Sequence, residues 1–364
     1  MSSHRRRQEP AVNYLPIRYC SKFSANVKHF FGYLYYLHCN ALFLCHGDML
    51  QYSNNSSLEP SMSIAIFGSI NMDLVVRAAR IPAPGETILG TDFVTVPGGK
   101  GANQAVAVAQ LGGGAHLLGA VGDDGFGHQL CDSLAGYGVN IAHVRRIPGA
   151  SGVALITVDD RGENSIVVAS GANMRMQHEI LDSVAHVLAG CTHILLQLEI
   201  PLELVTATLQ LARRYGVTTI LDPAPAPRMI LPSELYQHTD IITPNEHETY
   251  QLTDIMPDSD ERTQAAANIL HARGATHVII KRGAHGAYWS HAGSALSVPA
   301  VPVVVVDTVA AGDCYNGALA CALARGEPMP AAMRYAAAAA AIAVTRRGAQ
   351  HAMPTAAEVD ALLR

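Results

Sequence analysis

From Ser63 to the C-terminus the chain alternates short, continuous apolar runs with longer amphipathic ones, and glycine or proline stands at most of the joints. The runs "SIAIFGS", "HLLGAVG", "CTHILLQLE", "VTTIL" and "ATHVIIKRG" lack the polar alternation of a half-exposed strand. That is the pattern of parallel strands covered on both faces. Between them, "GANQAVAVAQLG", "GHQLCDSLAGYG" and "PLELVTATLQLARRYG" read as helices that close on glycine. Strand–helix alternation over ~300 residues specifies an α/β fold with a doubly wound, mostly parallel sheet flanked by helices. "VPVVVVD" (301–307) reads as a further buried strand, and the alanine-rich stretch 331–345 as a close-packed helix.

Two regions break the rhythm. Residues 73–97 and 148–170 alternate apolar and polar residues with no helix between. They predict hairpin strands joined in one small sheet, a lid over the C-terminal edge of the main sheet.

Residues 1–61 read differently. "MSSHRRRQEP" is basic, "HFFGYLYYLHCNALFLCHGDML" is aromatic but interrupted by His38, Asn40 and His46, and "QYSNNSSLEPS" is a polar linker. The interruptions leave less than the ~20 apolar residues of a membrane span, and there is no compact signal-peptide pattern. The expectation is an N-terminal extension, disordered or from an upstream start, with Met62 a natural beginning for a body spanning 62–364.

A formal net charge of −5 gives no reason to expect nucleic acid or an anionic membrane as partner. Seven cysteines, an odd number without CxxC or zinc-ligand spacing, argue against a disulfide framework and for a cytoplasmic protein.

Chemistry concentrates at strand ends. "PGGKGANQA" (97–105) is neither a Walker A loop, since Val94 and Gly101 stand at its end positions, nor a dinucleotide fingerprint, which lacks its third glycine. It is a glycine loop opening a helix, with Lys100 and Asn103 offering donors that suit a polyol. "GSINMD" (68–73) puts Asn71 and Asp73 on one side of an extended chain. Glu199 in "QLEIP" and Asn245 in "TPNEHE" end strands, and Glu248 lies about one helical turn further. Such oxygens suit a water-bound Mg²⁺, although helix capping explains them as well. In "DTVAAGDCYNGALA" (307–320), Ala310, Ala311 and Gly312 turn the chain into a helix whose open N–H groups form an anion hole. Asp313 then stands where an alcohol meets a phosphoryl group, as either a cap or a base.

Together "GSINMD", "PGGKGANQA", "QLEIP", "TPNEHE", "KRGAHG" and "DTVAAGDCYNGA" resemble, in kind and order, the ribokinase family of ATP-dependent sugar and nucleoside kinases, over about five-sixths of the chain. The resemblance implies phosphorylation of D-ribose at O5. The alternatives are another pentose, deoxyribose or a nucleoside as acceptor, or a catalytically silent sugar-binding regulatory protein. It implies that Asp313 is the general base beside an anion hole of residues 310–313. Asn71, Asp73, Gly99, Lys100, Asn103 and Glu199 would bind the sugar. Asn245, Lys281, Arg282, Gly283, Ala284, His285, Gly286 and Gly312 would hold ATP, and Glu248 would orient Mg²⁺ through water. A K⁺ site would draw on Asp307, Val309, Ala343, Arg346 and Gly348, and a homodimer would form through the lid strands. Two positions depart from the family pattern: Ala337 replaces a frequent adenine-contacting histidine, and Ala352 a serine that commonly helps hold the cation.

Overall fold

The computed structural model describes residues 62–227 and 231–364. The expectation for residues 1–61 lies outside the described residues.

The elements run β1 (Ser63–Phe67), β2 (Asn71–Arg77), β3 (Asp92–Gly98), α1 (Lys100–Gln110), β4 (Gly114–Gly122), α2 (Gly125–Gly136), β5 (Asn140–Ile147), β6 (Gly152–Val158), β7 (Asn164–Ala169), α3 (Ile180–Leu188), β8 (His193–Leu196) and α4 (Leu202–Tyr215). They continue as β9 (Thr218–Leu221), α5 (Ser233–Gln237), β10 (Ile241–Ile242), α6 (Glu246–Thr253), α7 (Asp260–Ala272), β11 (His277–Lys281), β12 (Ala287–His291), β13 (Ser294–Val298), α8 (Ala311–Ala324), α9 (Met329–Ala343) and α10 (Ala356–Leu362).

The main sheet has the order β13-β12-β11-β10-β9-β8-β1-β4-β5. All its pairings are parallel except those of β12 with β11 and with β13. β1 is flanked by β4 and β8, and from there the chain winds outward in both directions, so the topological switch point lies at the C-terminal ends of β1 and β8. A crevice opens at such a point because successive crossovers leave to opposite sides. The central strands fit the expected all-apolar pattern: Ile64, Ala65, Ile66 and Phe67 of β1 and Ile194, Leu195 and Leu196 of β8 are fully buried. Burying each large apolar side chain contributes about 1.5–3 kcal/mol.

The alanine run is the expected close-packed helix. Ala332, Ala336, Ala338 and Ala339 of α9 are fully buried, in one core cluster with Ala318 and Leu319 of α8. Side chains this small let the two helix backbones come close.

The small sheet has the order β3-β2-β6-β7. It consists of two antiparallel pairs, β2–β3 and β6–β7, joined by a parallel contact between β2 and β6. The parallel join was not foreseen. It follows because each pair enters the lid from the main sheet in the same direction.

"VPVVVVD" is not a buried strand. No regular strand covers residues 301–307, and Val304 is 83% exposed, with Val303, Val305 and Val306 also exposed. The edge position is taken by β13, which sequence reading overlooked, as it did β5. The valine segment is pinned instead to the end of α9, where Val306 N and Asp307 N donate to Val344 O at 2.8 and 3.2 Å.

Among the described residues no helix is long and apolar enough to cross a membrane.

Candidate active site

The site collects the C-terminal ends of β1, β8, β9, β10 and β11, the start of lid strand β2, and the N-termini of α1 and α8. The glycine loop makes the first join. Gly99 has φ 91°, and a Cβ there would lie 2.6 Å from the Asn71 backbone nitrogen. Only glycine fits a left-handed position so close to another backbone. The loop thus lies against the β1–β2 turn: Lys100 N donates to Ser69 Oγ at 3.0 Å, and Ser69 Oγ donates to Glu199 Oε2 at 2.5 Å. Asn71 Nδ2 is 3.4 Å from the same Glu199 oxygen, and Asn173 Nδ2 donates to Asn71 Oδ1 at 2.7 Å.

Asp313 lies in the first turn of α8 and is 5% exposed. Asn103 Nδ2 donates to its Oδ2 at 3.0 Å and Gln104 Nε2 to its Oδ1 at 3.1 Å. Burial raises its carboxyl to about 6, against the pull of Lys100; Asp222 adds to the rise, and the Asn103 and Gln104 hydrogen bonds oppose it. It does not cap its own helix: α8 has no side-chain cap, and its N-cap is Ala310 in the left-handed region at φ 58°. A non-glycine residue held there costs on the order of 1 kcal/mol, strain that clusters at functional loops. Ala311 N donates to Thr308 O at 3.3 Å. Within the expected anion hole of residues 310–313, the first-turn amides of Gly312 and Asp313 are free of intrahelical partners by position.

Asp73, Glu199 and Asp313 surround Lys100. Burial raises Asp73 to about 7; the charges of Glu199 and Asp313 add to the rise, and Lys100 opposes it. Burial alone would lower the Lys100 ammonium, but Asp313, Asp222, Glu199 and Glu248 outweigh it and hold the group charged. Carboxylates gathered around one ammonium offer mostly acceptors, which is what a polyol with several O–H donors requires.

Asn245 and Lys281 are bridged backbone to backbone. Glu248 closes a capping box: Asn245 N donates to Glu248 Oε2 at 2.8 Å, and Glu248 N to Asn245 Oδ1 at 2.8 Å. The capping reading is therefore correct as geometry. Each Glu248 oxygen accepts one bond, from Asn245 N or Nδ2, and keeps a further lone pair. Burial raises this carboxyl, followed by the charge of Asp222; Lys281, the Asn245 N–H and Lys100 pull it down. The donor set fits a hydrated divalent cation held through water.

The segment 281–286 splits. Lys281 points into the site, and Gly283–His285 forms an exposed 3₁₀ turn. Arg282 turns away: its guanidinium bonds Asp260 at 2.6 Å and Ser297 at 3.2 Å and lies 5.9 Å over the Tyr288 ring. Behind the anion loop, Asp307 Oδ1 accepts from Val309 N at 3.0 Å and Oδ2 from Gly348 N at 2.9 Å. The Arg346 side chain pairs with Glu358. Ala343 ends α9 beside it.

Sequence reading missed Gln104, Gln197, Asp222, Ser69 and Asn173. Asp222 follows β9 in "LDPAP" and meets the same strand-end rule that singled out Glu199 and Asn245. Gln104 lies inside the glycine-loop motif, one residue past Asn103. Ser69 and Gln197 lie inside "GSINMD" and "QLEIP", and Gln197 follows β8 directly, so position marked them although their partners are distant; Asn173 carries no local signal.

The family model for pfkB family carbohydrate kinases matches residues 61–356. The ribokinase of Schizosaccharomyces pombe is 40% identical over 310 residues, 82% of this chain and 97% of the relative. The deoxyribokinase of Salmonella typhi is 37% identical over 295 residues, 81% of this chain and 96% of the relative. The solved structure of Arabidopsis thaliana ribokinase complexed with ribose and ATP superposes with a TM-score of 0.78 at 32% identity, covering 84% of this chain and 99% of that one. The chain belongs to the pfkB family of carbohydrate kinases.

Proposed function

We propose that this chain transfers the γ-phosphoryl group of ATP to O5 of D-ribose, giving D-ribose 5-phosphate and ADP. The observation that carries the reading is the placement of Asp313: a buried carboxylate in the first turn of a helix, within the charged group of Lys100, Asp73 and Glu199. Asn71, Asp73, Gly99, Lys100, Asn103 and Glu199 hold the sugar so that its 5-hydroxyl meets Asp313. Asp313 takes the hydroxyl proton as O5 forms its bond to the γ-phosphorus, and the bond from phosphorus to the bridging oxygen breaks toward ADP. The Gly312 and Asp313 amides stabilise charge on the transferring group. Asn245 and the backbone of 282–286 hold the nucleotide. Glu248 and Asn245 would orient Mg²⁺ through water, and the ion would supply neutralisation of phosphate charge. Asp307, Val309, Ala343, Arg346 and Gly348 would hold K⁺ behind the loop before α8.

The deciding experiment is a panel of pentoses, 2-deoxyribose and nucleosides with Mg-ATP, the products identified by mass. Ribose should give the highest kcat/KM. The likeness to a deoxyribokinase makes 2-deoxyribose the competing acceptor; equal or better turnover of 2-deoxyribose would reassign the substrate. ATP hydrolysis indifferent to every sugar would leave the silent-binder reading instead.

The kinase body is proposed to be residues 62–364, which the family match at 61–356 supports. The dimer is proposed to form through the lid, where Phe93, Val94, Leu155, Ile166 and Val167 are exposed. Sedimentation of wild type and a Phe93→Asp variant compares the two states.

A further inference from the structure

Lys281 ends β11 with its ammonium directed at the start of α8. Its Nζ is 3.0 Å from Asp222 Oδ1, and the two side chains are 12% and 3% exposed. The same nitrogen lies 3.4 Å from where a Cβ on Gly312 would stand. A cation beside a helix N-terminus is electrostatically misplaced, because that end already carries positive charge. Burying an ion pair is also weak as a source of stability, since well-packed apolar residues serve as well. The arrangement makes sense if an anion enters between the ammonium and the Gly312 amide.

The other end of the pair leads to Asp313. Gln104 Nε2 donates to Asp222 Oδ2 at 3.1 Å and to Asp313 Oδ1 at 3.1 Å. Gln197 Nε2 donates to Gln104 Oε1 at 2.7 Å, which fixes the amide so that its NH₂ faces both carboxylates. An NH₂ group has two hydrogens, one for each. One side chain therefore sets the spacing between the base and the partner of the lysine.

We propose that Lys281 is a catalytic cation that grips the transferring phosphoryl group, and that Asp222 and Gln104 are positioning residues that hold it in register with Asp313. The proposal rests on the kinase reading and deepens it. In the free protein Lys281 is parked on Asp222. With ATP bound it turns toward the phosphoryl oxygens, staying protonated throughout. The O5 proton goes to Asp313, the new O5–P bond forms, and ADP leaves with the electron pair of the broken P–O bond.

The test compares wild type, Lys281→Met, Lys281→Arg and Asp222→Asn in steady-state kinetics with Mg-ATP and D-ribose, with ribose affinity measured by calorimetry. Lys281→Met should lose about 100-fold or more in kcat, keep ribose Kd within about threefold, and be partly rescued by arginine at that position. Asp222→Asn removes a like charge that raises Asp313, while Lys100 and the Asn103 and Gln104 hydrogen bonds from α1 pull it down. The acid limb of its kcat/KM profile should move to lower pH. Lys281→Met turning over within about fivefold of wild type overturns the proposal, as does an unmoved acid limb in Asp222→Asn. Should Lys281→Met fail to bind ribose, the decision passes to Lys281→Arg and Asp222→Asn: arginine no better than methionine, or an unmoved limb, means a structural pair. A wild-type chain without sugar-dependent ATP turnover removes the kinase reading itself, which is a different failure.

Discussion

Asn103 donates its side-chain amide to Asp313 at 3.0 Å, across 210 positions of sequence. One belongs to the glycine loop and the other to the helix that follows the valine segment. The bond joins the loop proposed to hold the sugar to the helix proposed to receive the phosphoryl group. It also blocks a capping role for Asp313, because the carboxylate faces α1 rather than the amides of its own helix. The base reading thus gains its support from orientation.

Asp313→Asn keeps the shape and removes the base. Ribose should still bind, and turnover should fall by about 10²–10⁴-fold or more. With burial holding the Asp313 carboxyl near 6 and Asp73 near 7, wild-type kcat/KM should be level above about 7 and decline as pH falls through 7 to 6, where protons occupy first the sugar ligand and then the base. A loss smaller than tenfold in the variant, or a wild-type limb near 4, counts against this assignment.

Asp73→Asn separates function from stability. A lost charge-assisted hydrogen bond costs about 1.5–3 kcal/mol, so ribose affinity should drop roughly 10–150-fold while ATP affinity holds. The ligand-free protein should respond in the opposite direction. Asp73 titrates at about 7 when folded and at its ordinary 3.8 when unfolded, so the folded state holds the extra proton between those values. Stability therefore falls as pH rises from about 4 to about 7. The amide variant lacks that penalty and should be more stable than wild type at pH 8 by on the order of 1 kcal/mol or more. Urea unfolding at pH 5 and pH 8 reads the difference; a variant less stable at both values contradicts the burial argument.

Much of this was legible locally. Asn71, Asp73, Glu199 and Asn245 sit at strand ends, and the strands themselves are continuous apolar runs, so period and position identified them together. Asp222 obeyed the same rule but was hidden by the proline-rich "DPAPA" that follows it. The Gln104–Gln197 bond was not legible, since nothing in either neighbourhood announces a partner 93 residues away. "VPVVVVD" misled for a physical reason: an apolar run identifies a strand only if a sheet edge is available, and β13 already occupies it. The residues are held by Val344 O instead.

Arg282 tests the split within "KRGAHG". Its guanidinium serves Asp260, Ser297 and the Tyr288 ring. Arg282→Ala should lower the stability of the fold by about 1–3 kcal/mol through lost packing and hydrogen bonds. The KM for ATP should stay within about twofold if only the backbone of 282–286 meets the nucleotide, as proposed. A large rise in that KM at unchanged stability would return the side chain to the nucleotide site.

The final prediction concerns a monovalent cation. Asp307 stitches two loops with its two oxygens, one to Val309 N and one to Gly348 N. Val344 O accepts two N–H groups, from Val306 and Asp307, which uses both its lone pairs. Ala343 O accepts only the Arg346 N–H in the same turn, and so keeps a lone pair for a cation, as do the carbonyls proposed with it. Such a cation would never touch the sugar; it would fix the loop that presents the Gly312 amide. Ala352 is buried and supplies no side-chain oxygen, so the ion must be held by fewer ligands and more weakly. At saturating Mg-ATP and ribose in a Tris buffer, KCl should raise kcat above NaCl at matched ionic strength, with half-activation at millimolar rather than micromolar salt. The response should disappear in Asp307→Ala, which unties the two loops. Flat and identical titrations with both salts in wild type would mean that the loop is already set by its own hydrogen bonds and that no cation is needed here.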